Sequence, residues 1–199
     1  MNLLDAVHNR RSIRRYADRQ IPEEVIGRLL DAAAWAPSAH NRQPWRFVVV
    51  RSKSIRETLA RAMGDRLRAD RLADGDPVEV VEADAHRSYS RITGAPTVIV
   101  FCLTMKEMDV YPDERRQKAE HAMASQSTAM AIQNMLLAAH VEGLGACWLC
   151  APLFTPTTVK AVLGLPPDWE PQGLVTMGYP VAEPKPKARR PVEAVTLWR

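Results

Sequence analysis

Four donor-rich side chains fall within five positions near the start of the chain: Arg10, Arg11, Ser12 and Arg14, interrupted only by Ile13. Arginine offers a planar, permanently charged fork of donors, and serine adds a hydroxyl, so the set can surround a phosphate. A second basic run lies at the far end, at Lys185, Lys187, Arg189 and Arg190. A phosphate monoester carries close to two negative charges, so several cations converging on it is physically reasonable. Spacing alone does not demonstrate that convergence. Either run taken singly also reads as a solvated basic face.

A third group is the loop Pro37 to Trp45, in which two prolines frame the polar run Ser38-Ala39-His40-Asn41-Arg42-Gln43. Loops of this composition carry function when a rigid scaffold holds them, and are otherwise plain hydrophilic turns. His40 has no evident partner. His121 and His140 fall on a long helical pattern and read as satisfied core or surface histidines, because no HxxxH or HExxH spacing occurs. No metal site is expected. Cys147 and Cys150 are spaced as CxxC, but GACWLCAPLF reads as a buried strand. Positions i and i+3 of a strand face opposite ways, so two separate buried thiols are expected. With Cys102 the chain has 3 cysteines, which form no disulfide framework.

The elements that must position these groups follow from periodicity. The chain has 199 residues, 46% hydrophobic and 25% charged, which suits one domain spanning 1–199. No apolar run approaches the roughly 18 residues of a membrane helix, and MNLLDAVHNRRS does not resemble a secretory signal, so a cytoplasmic protein without membrane contact is expected. The net charge of +4 permits an anionic ligand, while the 6% aromatic content offers no stacking platform for nucleic acid. Short helices are expected over 3–9 and from Pro22 to Pro37, with Val25, Ile26, Leu29, Leu30 and Ala33 as the apolar face. Trp45–Val50 and Pro96–Leu103 read as strands, the second buried on both faces. Residues 53–63 read as a helix, and 65–90 as a partly helical cap or lid broken by Gly75 and Pro77. The longest helix is expected over 113–141, apolar nearly all round from Ala129, and ended by Gly143. A strand GACWLCA, a helix near 156–164 and a strand over 173–179 complete the body, and 180–199 is expected as an extended tail along this chain or a partner. Strands and helices mix without a strict βαβ alternation, and no GxGxxG follows a strand, so an α+β sandwich is favoured over a dinucleotide-binding fold.

Taken together, RRSIRRY at 10–16, PSAHNRQPWRFVVV at 37–50, GLGACWLC at 143–150, LGLPPDWEPQGLVTMGYP at 163–180 and KPKARRPVEAV at 185–195 resemble the nitroreductase-like flavoproteins. The likeness runs in order along nearly the whole chain. It implies a three-layer α+β sandwich, with a central, mostly antiparallel sheet flanked by helices, an intertwined homodimer, and FMN at the interface. On that likeness Arg10, Arg11, Ser12, Ile13 and Arg14 would meet the phosphate, ribityl chain and pyrimidine edge, with Arg14 the cation that stabilises reduced flavin. Ser38, Asn41 and Gln43 would reach the flavin from the second subunit. Leu149, Cys150 and Ala151 would face its N5 edge, and Lys187 and Arg189 would hold the phosphate. Where many members carry Glu-Gly, this chain has Cys150-Ala151, a departure at the position associated with nicotinamide handling.

The implied activity is ping-pong hydride transfer from NAD(P)H or a reduced deazaflavin to a small conjugated acceptor. A narrower likeness, carried by RLRAD at 66–70, ADG at 73–75, YPD at 111–113, AEH at 119–121 and DWEP at 168–171, is to the reductase domain fused to a glutamyl ligase in bacterial deazaflavin-coenzyme maturation. It implies a dehydro-deazaflavin precursor as acceptor, with Arg66, Arg68, Asp70 and Arg71 candidates to receive its anionic part. Arg66 and Asp70 are also an ordinary i, i+4 surface pair. Two other readings stay open: a flavoprotein of this fold that consumes its flavin or removes halide, and a basic binding module without redox activity.

Overall fold

The computed structural model describes residues 2–182, 184 and 188–199. Helices α1 (Leu3–Asn9), α2 (Glu23–Ala34), α3 (Lys53–Ala73), α4 (Val78–Thr93), α5 (Glu114–Val141) and α6 (Pro156–Leu163) surround strands β1 (Trp45–Val50), β2 (Thr97–Leu103), β3 (Gly145–Leu149) and β4 (Glu170–Gly178). The sheet order is β1-β2-β4-β3, every neighbouring pair antiparallel. This is the expected α+β class.

The layering follows from strand alternation. Ile99 and Phe101 on β2, with Val175 and Met177 on β4, face α2 and α5 through Leu29, Ile132 and Met135. Val98, Val100 and Cys102, with Leu174, face α3, α4 and α6 through Leu59, Met63, Ile92 and Val159. Strand β2 is therefore buried along its whole length, as its unbroken apolar run predicts. Each such side chain contributes roughly 1.5–3 kcal/mol by leaving water. Burial pushes the Cys102 thiol up to about 12.

Several boundaries differ from expectation. Helix α3 runs to Ala73 rather than stopping near residue 63, because Gly64 is buried against neighbours and does not break it. The break does come at Gly75, at φ +85, and Pro77, which caps α4. Residues 65–90 thus belong to a helical hairpin. Strand β4 begins at Glu170, three residues early, because the register shift at Phe101/Cys102 accommodates Pro171. The strand GACWLC ends at Leu149, where Pro152 starts a single 3-10 turn at Ala151–Leu153. Cys150 is consequently exposed rather than buried, which corrects half of the two-buried-thiol expectation. Cys147 is buried, and all three thiols are free.

Among the described residues, no helix is long and apolar enough to cross a membrane, and no group of three His, Cys, Asp or Glu gathers as a metal site.

Candidate active site

The segment after α1 is placed by backbone pairing. Asn2 and Asp5 form a capping box that fixes the start of α1. The chain leaves the helix at Arg10, and Ser12 then forms a parallel bridge with Ala146 at the start of β3. The Ile13 N–H donates to the Ala146 carbonyl at 3.0 Å. Ile13 lies so close over Gly145 that a Cβ there would sit 2.6 Å from its side chain. The Tyr16 hydroxyl is 2.5 Å from the Ile13 carbonyl and 2.9 Å from Thr176 Oγ1, and the Ala17 N–H donates to Tyr179 O at 2.8 Å. Burial pushes the Tyr16 phenol far above its ordinary range, so it stays a neutral anchor.

This lacing gathers cations. Arg10, Arg11, Ser12, Arg14, Arg15 and Arg189 line one cleft of about 490 Å3, with Ile13 on its wall. The two ends of the chain do converge. The described residues lining the cleft include no carboxylate. Arg10 is held below the usual guanidinium range, first by burial, then by the neighbouring charges of Arg189 and Arg11. Like charges brought together with no carboxylate among the described lining residues suit an anion. An adjoining cleft of about 460 Å3 shares Arg10, Arg11 and Ile13 and is walled by His140 and Gly143–Ala146. Arg11 Nε and His140 Nε2, of residues lining it, are buried without a hydrogen-bond partner among the described residues. An orphaned buried donor costs about 1–3 kcal/mol, so a phosphate fits this donor set. His140, read from the sequence as a satisfied core or surface histidine, has one ring nitrogen unmet among the described residues. Arg15 also joins the cleft without having stood out in the sequence. Lys185 and Lys187 lie outside the described residues.

Leu149, Cys150 and Ala151 follow at the far end of β3, one strand-length from Ser12. Here Trp148 packs edge-on where Gly173 has no side chain, since its Nε1 would be 2.3 Å from a Cβ there.

The loop after α2 is strained. His40, Asn41 and Gln43 have φ of +50, +53 and +49, a left-handed conformation that costs non-glycine residues energy. Strain of this kind clusters at functional sites. Ser38 Oγ accepts from Gln43 N at 3.0 Å, Ser127 Oγ on α5 accepts from Ala39 N at 3.3 Å, and Arg42 pairs with Asp109 at 2.5 Å. Gln43 Nε2 reaches Asn41 Oδ1 at 3.3 Å, and both side chains face solvent. Ser127 stands thirteen residues before His140 on α5, about 20 Å at the helical rise. The single chain therefore does not bring Ser38, Asn41 and Gln43 to line the arginine cleft.

The α3–α4 hairpin meets its own charges. Arg66 pairs with Asp70 at 2.6 Å, Arg68 with Asp65 at 3.0 Å and Glu82 at 2.8 Å, and Arg71 with Asp76 at 2.6 Å and with Asp84. These four residues lie apart from the arginine cleft and do not line it.

The model of the Nitroreductase family matches residues 7–179, which spans both the arginine segment and β4. The chain belongs to the nitroreductase family. It is an oxidoreductase of that family. It is 34% identical to the NADH dehydrogenase of Thermus thermophilus, with 98% of this chain and 94% of that protein covered. It is 33% identical to the 5,6-dimethylbenzimidazole synthase of Rhodospirillum rubrum, over 94% of this chain and 87% of that one. Among solved structures it resembles a protein of Desulfovibrio desulfuricans described as a nitroreductase in complex with FMN, at 28% identity and TM-score 0.76, covering 100% of this chain and 98% of that chain.

Proposed function

We propose that this nitroreductase-family member is an FMN-dependent oxidoreductase acting as an intertwined homodimer. The observation that carries the reading is the convergence of Arg10 and Arg189, from opposite chain ends, on one cleft. FMN, when bound, would supply the ring that takes hydride from NAD(P)H or a reduced deazaflavin and passes it to a conjugated acceptor, entering after the donor leaves. The chain supplies binding and charge. Arg10, Arg11, Ser12 and Arg189 hold the phosphate, joined by Lys187 on the sequence likeness. Ile13 seats the segment on β3. Arg14 is the guanidinium assigned to the pyrimidine edge, where preorganised positive charge favours the reduced ring. Leu149, Cys150 and Ala151 present backbone to the ring edge, and Ser38, Asn41 and Gln43 come from the second copy.

Three features support the dimer. The roughly 20 Å along α5 between Ser127, which meets the loop, and His140, which walls the cleft adjoining the arginines, suits a site built from two chains. Met130 and Val141 leave the outer face of α5 partly exposed and apolar. Strand β1 is a sheet edge beside a groove of about 620 Å3 lined by Ile26, Leu30, Val49, Ile55 and Leu163. The tail carries Val195, Leu197 and Trp198 exposed, with Thr196 in extended backbone, a strand-like segment for that edge in a second copy.

As acceptor we propose a dehydro-deazaflavin precursor, on the likeness carried by Arg66–Asp70, Asp113 and Asp168–Pro171. Its receipt by Arg66, Arg68, Asp70 and Arg71 would require exchange of the hairpin ion pairs. The test is direct. Purified protein should be yellow or take up FMN, and Arg10→Gln with Arg189→Gln should weaken FMN at least about tenfold while changing riboflavin little. Reduction should then be measured over an acceptor panel that includes the dehydro-deazaflavin. Protein that takes up no flavin would instead fit a basic binding module. Similarity to a 5,6-dimethylbenzimidazole synthase favours one second reading, a flavin-consuming enzyme. Product analysis after aerobic turnover separates it, since the flavin would disappear with the donor.

A further inference from the structure

His140 sits in the last turn of α5 and walls the cleft adjoining that of Arg189. Its Nε2 and the Arg11 Nε are both buried without partners among the described residues, and both side chains line that cleft. Two unmet nitrogens beside two further cationic groups suit an acceptor brought by a ligand. We propose that His140 is an additional ligand of a phosphate monoester seated where the two clefts meet, and that it takes up a proton from solvent as the phosphate binds. This rests on the FMN reading for the identity of the ester, but not for the anion chemistry.

The surroundings set the sign. Facing His140 are Arg10 and Arg11 from the segment after α1. Cys147 on β3 and Arg189 from the tail both act on Arg10. Glu142, the acid nearest in sequence, is engaged by Arg28 of α2 at 2.7 Å and is itself held below its usual range by that pair. Burial, then Arg10 and Arg11, hold the imidazole below its ordinary value. The free site thus favours neutral histidine. A dianion arriving among these groups reverses the balance, so the bound state favours the imidazolium. Protonation coupled to binding means that the contribution of His140 grows as pH falls.

The experiment compares native protein with His140→Gln by flavin-fluorescence titration from pH 8 to pH 6. The ratio of the variant's FMN dissociation constant to that of native protein cancels the titration of the phosphate itself. That ratio should rise roughly tenfold as pH falls, the weight of one charge-assisted hydrogen bond. With riboflavin the ratio should stay flat. A flat FMN ratio near unity, or an equal rise with riboflavin, overturns the proposal. NMR titration of the His140 ring in native protein, with and without inorganic phosphate, needs neither variant nor flavin. Phosphate should raise its midpoint, and an unmoved midpoint overturns the proposal. Protein that binds phosphate at His140 but no FMN would remove the cofactor reading and leave the anion site standing.

Discussion

Ser12 and Ala146 form a parallel bridge that ties the arginine segment to the first residues of β3. Through it, the cations that line the arginine cleft and the strand end at Leu149–Cys150 share one support. Gly145 makes the approach possible, because Ile13 occupies the space that a side chain would fill.

Replacing Gly145 by Ala should push Ile13 and its neighbours off β3. A cost of about 1–3 kcal/mol in urea unfolding is expected, as for other overpacked sites. FMN affinity should fall with it, at least about tenfold, because the arginines lose their register. Normal affinity in a folded variant would contradict the support role assigned to the bridge.

Thiol labelling should separate the cysteines. Cys150 is exposed, whereas Cys102 and Cys147 are buried, and Cys102 is further quieted by its raised thiol. One thiol per chain is expected to react in native protein without flavin, identified by peptide mass. FMN should slow that reaction if the Leu149–Ala151 backbone meets the ring edge. Equal rates with and without FMN would argue that the ring lies elsewhere.

The tail should matter to assembly. Leu197 and Trp198 are 73% and 89% exposed in the single chain. Burying each against the β1 groove of a second copy would contribute roughly 1.5–3 kcal/mol. The double change Leu197→Ser and Trp198→Ser should therefore weaken dimerisation by about two orders of magnitude or more, read by sedimentation at low concentration. An unchanged dimer would show that the tail lies along some other surface.

The hairpin arginines offer a contrasting expectation. Arg68 and Arg71 are met by four carboxylates, and their side chains are about two-thirds covered. The pair Arg68→Ala and Arg71→Ala should lower thermal stability modestly, since partly exposed ion pairs are each worth about 1 kcal/mol or less. The KM for an anionic acceptor should change less than about twofold. A large rise in KM at unchanged kcat would instead assign them to substrate.

Elements with strong local patterns were legible from residues alone. The β-branched run Thr97–Leu103 announced a doubly buried strand, and Asp113 and Gly143 bracket α5 as cap chemistry requires. The ends of α3 and β4 were not, because a tolerated Gly64 and a register shift before Pro171 depend on what packs opposite. The left-handed run His40, Asn41 and Gln43 had no signal either, since none of these residues is glycine.

For the site, the sequence determined that clusters of cations stand near both chain ends and in what chemical form. Only tertiary structure decided that Arg10 and Arg189 meet, that His140 lies near Arg10 and Arg11 with one nitrogen unmet among the described residues, and that Cys150 is exposed rather than buried. The physical reason is range. Side-chain type and short-range periodicity are local properties, whereas the meeting of distant segments depends on sheet register and on where α5 and β3 end.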